Sequence, residues 1–474
     1  MLMAAIEGTI VATAMPSIAS QLGGFSLYSW VFSAYLLTQA ATIPIFGKLA
    51  DLFGRKPVFI VGVVIFVVGS VLCGFAWSME ALIAFRFIQG AGAGAVQPTI
   101  MTLAGDLYSL EERGRIQALF SVIWGSASVV GPTAGGMIVQ YGHWPWIFWV
   151  TVPIGLVAAV LVALFLHERV ESRSRQIDYL GAGLFFVGLS VLMLALTQSG
   201  QWSGTLLVPM FLAVLLMLAL FIRHQRRAPE PMMHLELWRH PLIAIANVST
   251  LCAGIVMMGL IAFLPTFVQG VLGHSALTAG FTLAAMTLGW PLAAPVAARL
   301  LVTHGTRLAS RFGGASLLLG AVAIALFGGQ GVAAAAGGSF LVGVGLGFIS
   351  PTCIIGIQSC VGWQQRGIAT ATNLLMRIMG NALGAAIFGG LLNWSLQRYI
   401  AARDLQASIS PDSIRSLLDG AGHGGAQLPG PLLQTLHGGL SQGLQAVFWL
   451  LAGFAALTAL ISWRLPDISG PQRN

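Results

Sequence analysis

Charge is scarce in this sequence. Asp, Glu, Lys and Arg together make up 8% of its 474 residues, and the acids number only 15. A soluble domain carries about a quarter charged residues, so an ordinary water-facing surface cannot be built from this chain. Cysteine is also rare. The four present, Cys73, Cys252, Cys353 and Cys360, fall in or beside apolar runs and form no CxxC pair. That excludes the usual signs of a disulfide framework or a zinc site. No His/Glu zinc motif, no Gly-rich phosphate loop after a strand and no Ser/His/Asp pattern appears, so nothing points to an enzyme. The 9 histidines lie in loops or near the ends of apolar runs, and no metal or haem cluster is expected. Without a traceable nucleotide-binding domain, ATP drops out as an energy source and an ion gradient remains.

Apolar length is what the chain has in excess. Hydrophobic residues make up 57% of it, and the mean hydropathy is +0.85. Runs of roughly 17–25 residues, enough to cross a ~30 Å hydrocarbon core, recur from end to end. They lie near 1–19, 28–48, 58–77, 80–103, 116–139, 146–166, 179–198, 206–222, 243–267, 277–298, 308–327, 333–356, 368–392 and 444–463. In lipid every backbone polar group needs an internal partner, which a helix supplies by itself. The 59 glycines and 20 prolines are compatible with membrane helices. An all-α membrane protein with about fourteen transmembrane helices is therefore expected. The first run has no charged flank and no small-residue cleavage signature, so it reads as a span rather than a signal peptide.

The net charge of +8 would suggest nucleic acid if its location were ignored. Most of the 23 Lys and Arg fall in loops after even-numbered spans or in the C-terminal tail. Only Arg398, Arg403 and Arg415 fall on the opposite side, in one long loop at about 393–443, while Arg86 and Arg377 lie within spans. The positive-inside rule then places both termini in the cytoplasm. The basic excess is a topology signal: the partner is a lipid bilayer, and no nucleic acid is expected.

A weak internal repeat organises the chain. Met15-Pro16 at the end of span 1 matches Leu264-Pro265 at the end of span 9. Gly47-Lys48-Leu49 through Gly54-Arg55-Lys56 corresponds to Ala298-Arg299-Leu300 through Gly305-Thr306-Arg307, with Val302 in place of Asp51. Such a repeat implies two helical bundles with a substrate site between them near the midplane. The expected division is 1–166 for the first bundle, 167–240 for an inserted helix pair with its linkers, 241–463 for the second bundle and 464–474 for a tail.

Four segments carry a family resemblance. They are Gly47-Lys-Leu-Ala-Asp51-Leu-Phe-Gly54-Arg55-Lys56 between spans 2 and 3, and Arg86-Phe-Ile-Gln89-Gly90-Ala-Gly92 in span 4. Span 5 adds Gly125 through Gly131-Pro132-Thr-Ala-Gly135-Gly136, and span 1 adds Ile6-Glu7-Gly8-Thr9 through Pro16. Together and in this order they resemble the major facilitator superfamily, specifically its fourteen-span drug:proton antiporters. The resemblance implies two six-helix bundles plus two inserted helices. It also implies proton-coupled efflux of hydrophobic drugs or related molecules across a bacterial cytoplasmic (inner) membrane, with no cofactor beyond the proton gradient. The alternative is a transporter of the same fold for a specific metabolite, siderophore or organic acid. A monomer is expected because each pair of bundles already encloses a pathway, and the resemblance leaves room for a periplasmic adaptor. Two departures stand out. The family's first span usually carries Asp where Glu7 stands, and the segment around Trp144-Pro145-Trp146 has Pro145 where the family has Arg.

The residues themselves suggest roles. Glu7 is the one carboxylate deep in a predicted span, and an intramembrane acid is a functional candidate by default. It is expected to bind a proton or the substrate, not both at once; the alternative is a surface residue at a frayed helix start. Arg86 is the natural partner, although counting 1.5 Å per residue puts the two at different depths. The resemblance implies that Arg86 takes part in proton transfer; a structural Arg bonded to carbonyls is the other reading. It also implies that the loop signature, with Gly47, Asp51, Gly54, Arg55 and Lys56, is a latch between bundles that favours the outward-open state, against a plain topogenic charge cluster. Gly125, Gly131, Gly135 and Gly136 permit tight helix packing and Pro132 a bend. Asn373, Arg377 and Asn381 share one helical face and either line a cavity or bond between helices. If Arg377 lines the cavity, it favours cargo with an acidic or acceptor group. Trp30, Tyr35, Trp124 and Trp290 are candidates to stack on a flat substrate, with packing as the alternative, and Gln89 is a candidate cavity residue.

Overall fold

The computed structural model describes residues 1–22, 27–168, 178–197, 204–229, 231, 235–401 and 430–467. These residues form helices and turns, with no strand among them. The helices are α1 (Leu2–Leu22), α2 (Tyr28–Phe53), α3 (Arg55–Gly74), α4 (Met79–Leu107), α5 (Leu110–Tyr141), α6 (Trp146–Trp149) and α7 (Thr151–Phe165). They continue as α8 (Tyr179–Thr197), α9 (Gly204–Gln225), α10 (Pro241–Gly270), α11 (Ala276–Phe327), α12 (Val332–Cys360), α13 (Trp363–Ala401) and α14 (Gly430–Trp463). Among the described residues nine helical stretches are long and apolar enough to cross a bilayer by length and composition. One of these is α11, which Gly305 divides into two arms, as the separate runs 277–298 and 308–327 predict.

Local chemistry sets the boundaries. Ser78 accepts a hydrogen bond from the Ala81 amide (3.2 Å) and starts α4. Ser109 and Glu112 form a reciprocal capping box at the start of α5, satisfying two amides that the helix leaves open. Ser275 caps α11 through the Thr278 amide (3.3 Å). Gly54, at φ 95°, ends α2 and starts α3. At the far end of the chain, α13 continues to Ala401 and α14 begins at Gly430, so helix extends into both ends of the loop expected at about 393–443. Arg398 belongs to α13, where its guanidinium lies over the Trp394 ring at 5.3 Å, and not to the loop. Arg403 and Arg415, the linker arginines Arg169, Arg173 and Arg175, and the tail beyond residue 467 lie outside the described residues.

The chain divides into two compact units. Unit 1 holds Met1–Ala195, Ser203–Ala244 and Ile354–Leu375; unit 2 holds Leu196–Trp202, Ile245–Cys353 and Met376–Asn474. The division differs from the expected one in two ways. Helices α8 and α9 group with unit 1, and so does the hairpin joining α12 to α13. In unit 1 the core is a cluster of Ile10, Met15, Ile18, Leu82, Ile147 and Phe148, none more than 2% exposed. Large apolar side chains also cover the outside, including Val61, Val64, Leu212, Leu215 and Leu216. In water that surface would aggregate; in lipid it is the expected finish of a multi-pass membrane protein.

The pair α8–α9 is tied at one end. Asp178, just before α8, accepts bonds from the Gly181 amide, His224 Nε2 and Gln225 Nε2, each at 2.7 Å. Partial burial opposes its charge, but the His224, Gly181 and Gln225 donors outweigh it and hold this carboxyl below the usual Asp range.

Candidate functional site

Glu7 and Arg86 meet inside unit 1. The first is 1% exposed and the second 2%, on α1 and α4 respectively. Arg86 Nη1 donates to Glu7 Oε1 and also to Gln89 Oε1 (2.7 Å), and Arg86 Nε donates to the Val31 carbonyl (3.1 Å). Its guanidinium lies 4.3 Å from the centre of the Tyr35 ring. The network continues outward from Gln89, whose Nε2 donates to Ser70 Oγ (2.8 Å). Ser70 Oγ lies 3.3 Å from Thr151 Oγ1, which in turn donates to the Phe148 carbonyl (2.7 Å). One atom stands apart. Glu7 Oε2 is buried and has no hydrogen-bond partner among the described residues.

This geometry bears on two expectations. The depth gap counted between Glu7 and Arg86 does not keep them apart: the two side chains are in contact. Tyr35 and Gln89, candidates for a cavity wall with packing as the alternative for Tyr35, lie buried beside Arg86: Tyr35 is 5% exposed and Gln89 0%. Trp30 in α2 and Trp124 in α5 are half-buried.

A second polar cluster surrounds the α2–α3 turn. Asp51 accepts from the backbone amides of Gly367 and Ile368 near the start of α13, both at 2.8 Å. Arg55 is fully buried and pairs with Asp51 (2.9 Å) and Asp106 (2.9 Å). It also donates to the carbonyls of Ala50 (2.8 Å) and Trp363 (2.7 Å), with its guanidinium 4.0 Å from the Trp363 ring centre. Arg366 pairs with the other oxygen of Asp106 at 2.5 Å. Gly47 lets α2 approach α13 closely: a Cβ there would collide with Ala371 and lie 3.1 Å from the Gly367 carbonyl oxygen. Lys56 is peripheral to this cluster. Its Nζ reaches the Ala163 carbonyl (2.7 Å), while the backbone amides of Arg55 and Lys56 both donate to Glu168 (2.9 Å each).

Asp106, Arg366, Glu168 and Trp363 complete this cluster and were not singled out from the sequence. A usable signal was present for the first two. Asp106 lies just after span 4 and Arg366 just before span 13, on the side assigned to Asp51 and Arg55, where opposite charges find each other. No local pattern announces Glu168, which follows α7 and caps a helix more than a hundred positions earlier.

The glycines of α5 separate into different roles. Gly131 is buried against α1, where a Cβ would collide with Thr9. Thr9 Oγ1 in turn donates to the Ala127 carbonyl (3.0 Å), so α1 and α5 are joined by a polar bond as well as by packing. Gly135 is buried and Gly125 half-buried. Gly136 does not fit the tight-packing expectation: a Cβ there would meet nothing within 4 Å. Pro132 lies within α5, with its side chain outside the described residues.

Unit 2 contains a small cavity of about 20 Å³, lined by Thr250, Met257, Trp290, Ser350 and Arg377 among others. Of the three polar residues on one face of α13, Arg377 borders it. Asn381 has a buried Oδ1 with no hydrogen-bond partner among the described residues, packed where Gly254 brings α10 against the α13 backbone. Asn373 is 5% exposed. Among the described residues no group of three or more His, Cys, Asp or Glu is placed to hold a metal ion.

Known proteins share this architecture. The profile of the Major Facilitator Superfamily matches residues 1–388. Multidrug transporter protein MdtP of Bacillus subtilis (strain 168) is 32% identical over 438 residues, which cover 88% of this chain and 80% of that protein. Multidrug resistance protein 3 of the same organism is 31% identical over 430 residues, covering 90% and 82%. Among solved structures, the human organic anion transporter MFSD10 superposes with a TM-score of 0.68 at 15% identity, over 97% of this chain and 96% of that one. The proton:xylose symporter XylE gives 0.64 at 12% identity, over 98% and 94%. These two fix the fold, and the profile and the relatives fix the lineage: the chain belongs to the major facilitator superfamily of membrane transporters.

Proposed function

We propose that this transporter exports hydrophobic small molecules in exchange for protons, by alternating access, as a fourteen-span drug:proton antiporter of the bacterial cytoplasmic membrane with both termini in the cytoplasm. One observation carries the reading: a buried carboxylate, Glu7, shares one oxygen with Arg86 while its other oxygen has no partner among the described residues. The open oxygen is where a proton attaches. Once Glu7 is neutral, its charge no longer holds Arg86. Arg86 still has Val31, Gln89 and the Tyr35 ring, so protonation releases the carboxyl without unseating the guanidinium. A cargo that displaces the proton, or is displaced by it, completes the exchange. The cluster around Asp51, Arg55 and Asp106 acts as the latch that must open and close in each cycle. Drugs are favoured as cargo because the named relatives are a multidrug transporter and a multidrug resistance protein.

The test is export of a panel of hydrophobic fluorescent compounds from cells overproducing the chain, with and without a protonophore. Export that stops with the protonophore, and is lost in Glu7→Gln at equal protein level, supports the reading. Export that survives either treatment removes proton coupling through Glu7. A second reading, a same-fold carrier for a metabolite, siderophore or organic acid, is favoured by Arg377 at the unit 2 cavity. It gains if no compound of the drug panel is exported.

A further inference from the structure

Helix α9 has two different faces in its last turns. His224 and Gln225 bind Asp178 at the start of α8, and Phe221, 4% exposed, packs on Phe185 of α8 with ring centroids 5.4 Å apart. That tie fixes the rotation of α9. Arg223, Arg226 and Arg227 are exposed, and with Ala219 and Ile222 they line an open groove. These five positions follow the i, i+3, i+4 spacing of one helical face. Val208, Leu212, Leu215 and Leu216 continue that face along the helix, each 59–61% exposed. With 22 residues, α9 is roughly 33 Å long, so it crosses a ~30 Å core and its last turn emerges among lipid headgroups. Like charges at these spacings repel, yet the three guanidinium groups make no ion pair among the described residues. Asp178, the acid at this end of the helix pair, is already spent on His224, Gln225 and the Gly181 amide. The dipole of α9 favours cations at this end on any face, and does not select the apolar one.

We infer that this face of α9 holds an anionic phospholipid, with its phosphate on Arg223, Arg226 and Arg227 and an acyl chain along Ala219, Leu215 and Leu212. Guanidinium forks match phosphate oxygens two at a time. A basic cluster where a span leaves the hydrocarbon is the complement of an anionic leaflet. The apolar strip in line with the arginines argues for a lipid over free phosphate, which has no use for it. Charge argues against a second copy of the chain, since a two-fold contact through this face would set arginine against arginine. The site belongs to the α8–α9 pair and holds whatever the cargo and its coupling.

The experiment titrates the full chain in detergent at pH 7 with dioleoyl phosphatidylglycerol or dioleoyl phosphatidylcholine and counts bound lipids by native mass spectrometry. Wild type should take up its first phosphatidylglycerol at least about tenfold more tightly than phosphatidylcholine. Arg223→Gln, Arg226→Gln and Arg227→Gln together should bring the two lipids within about twofold of each other. The matching triple Lys variant should keep part of the preference, since it keeps the charge and loses the fork. Arg226→Gln alone, one exposed side chain, should weaken phosphatidylglycerol about fivefold and serves if the triple variant fails to fold. Glycerol phosphate in millimolar excess should not displace the lipid. Equal wild-type affinity for the two lipids overturns the inference, and so does a preference that survives the Gln changes. Displacement by glycerol phosphate would make the site one for a free anion, and a dimer that excludes the lipid would make it a contact between copies; either result overturns it too.

Discussion

Gly54 and Gly305 adopt the same unusual backbone, with φ 95° and ψ 160° in the first and φ 85° and ψ 175° in the second. They occupy corresponding places in the internal repeat, and each is served by a carboxylate from a distant segment. Glu168 takes the amides of Arg55 and Lys56 after Gly54; Asp467 takes the amide of Arg307 after Gly305. Thr306 Oγ1 adds a bond to the Pro466 carbonyl (2.8 Å). The repeat is therefore conserved in its turn and in its acidic cap, although Asp51 itself has Val302 as its counterpart.

Replacing Gly305 by Ala should destabilise the protein by about 1–3 kcal/mol, because a side chain is strained at this φ and its Cβ would collide with Asp467. Asp467→Ala should lose about 1 kcal/mol, the value of a helix cap. Thermal unfolding in detergent measures both. A Gly305→Ala protein that melts with wild type would remove the strain argument.

The Glu7–Arg86 pair makes a separable prediction about stability and transport. Arg86→Met leaves a buried carboxylate without its partner and should cost about 3–5 kcal/mol. Adding Glu7→Gln to Arg86→Met removes the orphaned charge and should restore part of that stability, yet transport should stay absent. Recovery of transport in the double variant would make the pair structural only.

Gly47→Val should abolish transport while leaving the protein in the membrane, since α2 and α13 have no room for a side chain there. Asp51→Asn should weaken the same place by removing the charge from two hydrogen bonds, each worth about 1.5–3 kcal/mol. Hydrogen exchange at the amides of Gly367 and Ile368 reads this directly. Unchanged protection of both amides in Asp51→Asn would contradict the assignment.

Acid should loosen the α8–α9 tie. The Asp178 carboxyl titrates below its ordinary value, so its contribution is complete above the unfolded Asp value of about 4 and is lost as the pH falls through the lower folded value. The melting difference between wild type and Asp178→Asn should be constant from neutral pH down to about 4 and should close below it. A gap that persists into strong acid would show that the charge is irrelevant.

Much of this was legible in the sequence because it is encoded locally. Apolar runs of membrane length, the Gly54 turn and its glycine-spaced charges, and the polar residues of one α13 face each occupy a short window. Partnerships across the chain were harder to read. Glu7 and Arg86 were matched by chemistry, while counting residues from the span ends suggested a mismatch that their contact does not show. Gln89 and Tyr35 read as cavity residues because a polar or aromatic side chain in a span has two possible destinations, and only the position of Arg86 decides between them. The capping acids Glu168 and Asp467 belong to no motif at all; they are found only once the helices have assembled.

The close approach at Gly47 bears on how the cycle can run. Backbone against backbone leaves no film of solvent between α2 and the beginning of α13, and the Asp51 and Arg55 bonds close over it. Packed surfaces of this sort do not slide apart by degrees, because water gains nothing until a whole molecule fits. Under the proposed latch, separation there should be a threshold event whose rate responds steeply to anything that weakens a single bond in the cluster.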